Sequence, residues 1–410
     1  MLAGVTAIAA LFLCTQIANA DKGDQGADNS GDYQGATFVR GQGSDKFGIT
    51  QIGGYYDGSF HEQKYYNSQV STGIAQGLRM HTYIYSQFST KSQADEMLNY
   101  YLPKVQTPKN SIVALDVESG SPTTEAVQYA LKKVKDAGYT AVLYGYKNFL
   151  TTHLDLSSLS AQYPLWLAEY PDYNVTTSPN YNYFPSFDNI GVFQFTSTYK
   201  SGGLDGNVDL TSLTNNGYKG TTTSTQGGVA VKTDTTTSAV KEGQKANNTS
   251  KSAITNGYTV KVNFSASKWS NGTSIPSWVK GKSYEVIQTS GDKVLLGGIL
   301  SWINKSNVEI LQTSSQTTSQ NSSASVSGTF TDGSYVIHRE DGYFTPNQTL
   351  RVFAYPGVQP TGAKYYAGEP VKYDGYIVRG NYVYASYLTN GGYHHYIAVR
   401  QNGVALGTFK

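Results

Sequence analysis

Between residues 21 and 213, short apolar runs alternate with segments of helical period, and this alternation narrows the possible folds more than any other feature. Ser111-Ile-Val-Ala-Leu115 is short and apolar, as a buried strand is. Ser121-Pro122 then offers an N-cap residue followed by proline at the first helical position. Val127, Ala130, Leu131 and Val134 recur at i, i+3, i+4 and i+7, and Gly138 stops the helix. Tyr139 to Tyr146 reads as the next strand. A further helix carries Ala94, Met97, Leu98 and Tyr101 at the same spacing, and further strands are predicted at 79–87, 163–170 and 190–196. Strand, helix and strand in succession require a parallel sheet, so the segment is a (β/α) barrel or a doubly wound sheet.

The alternation stops at 213. Residues 214–253 are rich in Thr, Ser and Gly without an apolar period, which predicts a flexible linker, and 312–329 predict a second one. The block between them, 254–311, holds strand-like runs at Tyr258–Val262, Tyr284–Ile287 and Lys293–Leu296. The block at 330–410 holds aromatic-rich strands such as Leu350–Ala354 and Tyr382–Tyr387, separated by Asp-Gly and Asn-Gly turns. Each block reads as a small all-β barrel.

Composition limits the function classes. Charged residues are 15% of the chain and the formal net charge is +2, which leaves no concentrated basic face for nucleic acid. Aromatics at 13% can build packed cores and exclude a charged disordered chain. Charge is segregated: net −6 over 21–213, against +3 over 214–253, +3 over 254–311 and +2 over 330–410. An anionic partner for the tail would account for this, as would ordinary solvated surface. The one cysteine, Cys14, lies in residues 1–20, an apolar stretch ending in Ala18-Asn19-Ala20. That ending suits signal peptidase, although no Lys or Arg precedes the apolar run. The expectation is an exported chain, cysteine-free from Asp21 onward, or one retained by an uncleaved anchor. No other stretch reaches the ~18 apolar residues of a membrane span.

Asp116-Val117-Glu118 directly follows the apolar run. Residues i and i+2 of a strand point to one face, ~6.6 Å apart along it. At the C-terminal end of a barrel strand, both carboxylates would face the site made by the βα loops. Glycoside cleavage uses such a pair: one protonated to donate to the leaving oxygen, one ionised to stabilise the oxocarbenium-like transition state. A like-charged neighbour raises the acid's pKa. The plainer reading is a pair of solvated loop carboxylates.

The surrounding segments carry a resemblance. They are D-x-S-x-x-x-Q-G at 28–35, A-L-D-V-E at 114–118, V-L-Y-G-Y at 142–146, L-W-L-A-E-Y at 165–170, V-F-Q-F-T-S-T at 192–198 and G-N-V-D-L at 206–210. In this order they resemble the glycoside hydrolase family 25 muramidases, the Chalaropsis-type lysozymes, over nearly all of 21–213. The resemblance implies an irregular TIM-like (β/α) barrel that hydrolyses the β-1,4 bond after N-acetylmuramic acid in peptidoglycan. It implies Glu118 as the general acid, with Asp116, Asp28 and Asp209 as supporting carboxylates. Tyr144, Trp166, Tyr170 and Gln194 would line the substrate groove, Trp166 serving the core equally well. Asp24 and Asp32 are rivals of Asp28 for the first position. A chitinase-type barrel is the nearest enzymatic rival, but its D-x-x-D-x-D-x-E pattern would need an acid where Ala114 stands. His61, His81 and His153 are scattered, without the clustering of a zinc site.

The last block is similar to bacterial SH3-like wall-binding domains at Gly342-Tyr-Phe-Thr, Leu350-Arg-Val, Tyr366 to Asp374, Tyr384 to Tyr387 and Tyr396 to Arg400. The middle block, with Ile275-Pro-Ser-Trp278 and Leu295 to Trp302, looks like the small SH3-like modules of related lysins. The whole therefore reads as a multidomain chain: an export segment at 1–20, a catalytic barrel at 21–213, and SH3-like barrels at 254–311 and 330–410. It resembles both phage endolysins and secreted autolysins. The expected partners are bacterial peptidoglycan and anionic wall polymers, with no nucleic acid, no cofactor, no metal and a monomeric state. A non-catalytic wall-binding protein is the contrasting class.

Overall fold

The computed structural model describes residues 22–313, 329–332, 335–389 and 394–409. The expected export segment with Cys14, and nearly all of the 312–329 linker, lie outside the described residues. The first unit opens with β1 (Gln25–Asn29), α1 (Gly31–Gln34), β2 (Phe47–Tyr56), β3 (Ser59–Glu62), α2 (Tyr66–Ala75), β4 (Arg79–Ser86) and α3 (Lys91–Tyr101). It continues with β5 (Ile112–Asp116), α4 (Thr124–Asp136), β6 (Thr140–Tyr146), α5 (Lys147–His153), α6 (Leu156–Ser160), β7 (Leu165–Ala168), β8 (Ile190–Thr196) and β9 (Asp205–Asp209). Strands pair in the ring β1-β2-β4-β5-β6-β7-β8-β9 and back to β1, with β3 hanging from β2. This is a closed eight-stranded barrel. It is irregular because β9 runs antiparallel to both of its neighbours, β8 and β1.

The alternation of the strands sorts the side chains. On β5, Val113 and Leu115 join the cluster beneath the helices, whereas Ile112 and Ala114 face the lumen with Phe47, Ile49, Val142, Trp166 and Val192. Asp116 shares the lumen parity and is the first such position past the apolar layer. β1 is polar in sequence, yet it pairs on both sides and is almost wholly buried. Gly26 is required there, since a Cβ would sit 2.3 Å from the Phe47 carbonyl oxygen. The α4 cap differs from expectation. Thr123, not Ser121, is the N-cap, and its side chain accepts from the Ala126 N–H at 3.3 Å.

The expected flexible linker at 214–253 is instead structured. β10 (Thr221–Thr223) and β11 (Val229–Val231) form a hairpin, and α7 (Ser238–Asn248) buries Ala239, Val240, Gly243, Ala246 and Asn247. Its few apolar residues are spent on one narrow stripe, which a search for a broad apolar period overlooks. Gly243 lies so close to α2 that a Cβ would stand 2.4 Å from the Ser71 carbonyl oxygen. Asn247 Nδ2 donates to the Ala75 and Val229 carbonyls, both at 2.8 Å.

The middle block follows with β12 (Thr259–Val262), β13 (Ser283–Ser290), β14 (Lys293–Leu296), β15 (Ser301–Asn304) and β16 (Val308–Gln312), in sheet order β15-β14-β13-β12-β16. Its core of Val260, Val262, Val286, Val294, Ile303 and Ile310 continues into Ala75 of α2 and Ala246 of α7. The buried Lys261 donates to Gln76 Oε1 at 2.8 Å and pairs with Glu309 at 2.6 Å. The last sheet, between Thr329 and Phe409, consists of antiparallel strands around Phe344, Val352, Val371, Tyr373 and Ile397. An irregular barrel followed by two all-β units is the architecture expected from the sequence.

Candidate active site

Asp28, Asp116, Glu118 and Asp205 meet at the mouth of the barrel, with Tyr83, Tyr144, Tyr146, Trp166, Tyr170 and Gln194 around them. The sequence-predicted Asp28, Asp116, Glu118, Tyr144, Trp166, Tyr170 and Gln194 are thus brought together. Asp209 is not among them. It shares the lumen parity of Asp205 and Asn207, but β9 runs downward, so four residues place it ~13 Å deeper. There its carboxylate accepts from the backbone N–H groups of Thr211 (3.0 Å), Leu213 (3.0 Å) and Thr214 (2.8 Å) and from the Thr214 hydroxyl (2.7 Å). Asp209 ties a turn at the base, and Asp205, opposite Asp28 in the strand register, is the fourth carboxylate of the mouth. The Gly203-Leu-Asp205-Gly segment that opens β9 was the available signal. Asp24 is also at the base, bonded to Arg79 at 2.7 Å.

A chain of hydrogen bonds fixes Asp28. Trp166 Nε1 donates to Asn207 Oδ1 (2.8 Å), and Tyr144 donates its hydroxyl to Gln194 Oε1 (2.9 Å). Each amide thereby presents its NH2 group to Asp28 Oδ1, at 2.7 Å from Asn207 and 3.1 Å from Gln194. Trp166 is 2% exposed and Tyr144 8%, so both act beneath the site. Tyr146 and Tyr170 stand higher, with their hydroxyls bonded to each other at the rim.

No cation lines this mouth among the described residues. Burial therefore raises every carboxylate. Asp28 is pushed up to about 6, with the Asn207 and Gln194 amides opposing the rise. Asp116 lies well above the ordinary range through burial and then the charges of Glu118, Asp28 and Asp205, and its Oδ1 has no hydrogen-bond partner. Asp205 is raised by burial, by the Asp28 charge and by the side-chain hydrogen bond to Asp28. Glu118, half-buried, is raised by burial and by Asp28. Four acids without a cation cannot all ionise, so the mouth holds protons at neutral pH. His81 is buried elsewhere, accepts from the Ile112 N–H at 3.1 Å, and is pushed down to about 3 by burial and Arg79.

Residues 54–204 match the model of the glycosyl hydrolases family 25, and the barrel is a domain of that family. Over 124 residues the chain is 36% identical to a D-alanyl-L-alanine endopeptidase of Streptococcus phage B30, covering 28% of each protein. Over 141 residues it is 31% identical to a lysozyme of Streptococcus phage Cp-7, covering 32% of this chain and 40% of that one. The chain thus spans well under half the length of these relatives. Among solved structures, a multimodular pneumococcal cell wall endolysin from phage Cp-1 aligns over 92% of this chain and 95% of its own. That alignment has 17% identity and a TM-score of 0.39. The lysostaphin SH3b domain aligns over 20% of this chain and all of its own, with 27% identity and a TM-score of 0.19.

Proposed function

We propose that the chain is a lysozyme-type muramidase that hydrolyses the β-1,4 bond between N-acetylmuramic acid and N-acetylglucosamine in peptidoglycan. The observation that carries this reading is the set of four carboxylates at one barrel mouth, with no cation among the described residues that line it, divided into accessible and locked members. Glu118 is the accessible one, and burial and the Asp28 charge raise its affinity for a proton, so it serves as the general acid, donating to the glycosidic oxygen as the C–O bond breaks. Asp28 is held toward its anionic form by two amide N–H donors and faces the positive charge that develops at the sugar ring. Asp205 keeps the proton it shares with Asp28. Asp116, beneath Glu118, is itself raised by burial and the Glu118 charge, while burial and the Asp28 charge hold the acid's pKa up. Water completes the reaction, adding hydroxide to the anomeric carbon and returning a proton to Glu118. Tyr146 and Tyr170 form the rim against which the sugars lie.

The basic β units hold the enzyme on the wall, and residues 1–20 direct its export to the cell surface, where it acts as a monomer. The exposed Tyr355 and Tyr366 of the last β unit, and Arg379 lying 5.3 Å over the Tyr335 ring, suit a contact with wall polymer. The reading is tested by incubating purified walls with the full chain and analysing the soluble products by mass spectrometry. Fragments ending in reducing N-acetylmuramic acid are the expected result. Release of peptides from intact glycan strands would overturn it.

A further inference from the structure

Glu118 stands on a short bridge between the end of β5 and the start of α4. At one end Val117 is fully buried, and its N–H donates to the Tyr144 carbonyl of β6 at 3.0 Å. Gly145 permits this approach, since a Cβ there would stand 2.6 Å from the Val117 carbonyl oxygen. At the other end is the α4 cap, Thr123, whose hydroxyl donates to the Ser89 carbonyl at 3.0 Å. Between these points, residues 118–122 make no backbone–backbone hydrogen bond among the described residues. An acid that must meet a glycosidic oxygen needs a firmer footing, because a displacement of ~1 Å can cost ~10²-fold in rate.

Ser119 supplies the missing tie. Its hydroxyl shares a hydrogen bond with the Tyr85 hydroxyl at 2.7 Å and accepts from Gln87 Nε2 at 3.1 Å. Tyr85 lies in β4, opposite Asp116 in the strand register, and Gln87 directly follows that strand. Both partners are themselves held. Gln87 Oε1 accepts the Asp57 N–H at 3.0 Å, which turns the NH2 group of the amide toward Ser119. The Gln87 backbone N–H donates to the Tyr55 carbonyl at 2.9 Å. The Tyr85 ring meets Tyr56 edge-on at 5.6 Å, and Tyr56 stacks on His61 at 3.6 Å. Gly120 then turns the bridge with a φ of 77°, and a Cβ there would lie 2.8 Å from Gln87 Cγ. The device repeats the one beneath Asp28, where an amide whose oxygen is occupied presents its NH2 group to the site.

We infer that Ser119 is a positioning residue, and that Tyr85 and Gln87 act through its hydroxyl to hold the Glu118 peptide against the β4 side of the mouth. The inference rests on the muramidase reading, in which Glu118 donates the proton. Ser119 is half-buried, so water can replace its hydroxyl and the fold loses little without it. What the hydroxyl secures is the placement of the acid.

The test gives the full chain two substrates. One is a soluble peptidoglycan glycan, whose sugar leaving group must be protonated. The other is a nitrophenyl glycoside of the same disaccharide, whose phenolate leaves with little help from an acid. Ser119→Ala should lower kcat on the glycan about 10-fold with KM within about two-fold, and lower kcat on the nitrophenyl glycoside far less. Gln87→Met should show the same pattern more weakly. The double variant should lose less than the product of the two single losses, because both act through one contact. Ser119→Thr keeps the hydroxyl and should recover most of the loss. An unchanged kcat in Ser119→Ala, or an equal loss on both substrates, would overturn the inference. Glu118→Gln measured alongside keeps the two readings apart. It should lose the glycan reaction and largely spare the nitrophenyl one, whatever Ser119→Ala does. Glycan cleavage at the parent rate by Glu118→Gln would refute the acid itself, and the inference with it.

Discussion

The two ends of the barrel treat the same residue type in opposite ways. At the base, Asp24 faces Arg79, and Asp209 accepts four hydrogen bonds from the turn that follows it. At the mouth, Asp28, Asp116, Glu118 and Asp205 face one another with no cation among the described residues, none of which partners Asp116 Oδ1. A satisfied buried carboxylate holds the fold, and an under-satisfied one stores proton affinity that chemistry can use. The contrast predicts that substitutions at the mouth remove activity and spare the fold, and that substitutions at the base do the reverse.

The largest effect should come from Glu118→Gln, which keeps the shape and removes the transferable proton. Wall lysis should fall ~10²–10⁴-fold, with the melting temperature held or raised. Lysis within a few-fold of the parent in a well-folded variant would remove Glu118 from the chemistry. Asp209→Ala is the counterpart at the base. It strands three backbone donors and a hydroxyl, which should cost about 3 kcal/mol or more. Calorimetry should record a lower melting temperature, while kcat measured well below that temperature stays within about two-fold, because Asp209 lies ~13 Å below the mouth. A loss of kcat with unchanged stability would return Asp209 to the catalytic set.

Asp209 also shows what could be read in the sequence. The Asp-x-Glu pair was legible because β5 is an ordinary parallel strand, where an apolar run ends at the mouth. The β9 assignment failed because direction is a property of the sheet. Gly206-Asn-Val-Asp209 has the same lumen parity whether the strand runs up or down, and only the antiparallel pairing with β1 and β8 puts Asp205 on top. The aromatics divide in a similar way. Their place in the strands was legible, but the task of Trp166 and Tyr144, turning two amides toward Asp28, depends on partners 41 and 50 residues away. The 214–253 segment was misread because its helix is stabilised by packing rather than by propensity. Thr and Ser dominate locally, yet Gly243 and Ala246 give the close approach to α2 and the middle sheet.

That packing supplies an intermediate test on neither end of the barrel. Gly243→Val would drive a branched side chain into the Ser71 carbonyl and the Ile74 side chain. Overpacking of this kind costs about 1–3 kcal/mol. Urea denaturation should register it as a lower midpoint, and the kcat of the folded protein should stay within about two-fold of the parent. An unchanged midpoint would mean that α7 does not hold the middle unit to α2.

The smallest predicted effect is the most specific to the mouth. Burial and Asp28 raise the Asp205 carboxyl above its ordinary value, so the folded protein binds a proton there that the unfolded chain has released. Stability therefore falls as pH rises from about 4, where the unfolded group ionises, toward the raised folded value. Asp205→Asn removes that dependence and still offers an N–H to Asp28 in place of the shared proton. The variant should match the parent near pH 4 and gain on it steadily as pH rises from there toward the raised folded value. The gain should reach about 1 kcal/mol, or ~2–4 °C in melting temperature for a unit of this size. Wall lysis should be lower at every pH, because Asp28 loses the partner with which it exchanges a proton. Melting curves recorded from pH 4 to pH 9 decide the point. A constant offset between variant and parent across that range would mean that Asp205 is ionised in the folded protein, and the mouth would then be no less satisfied than the base.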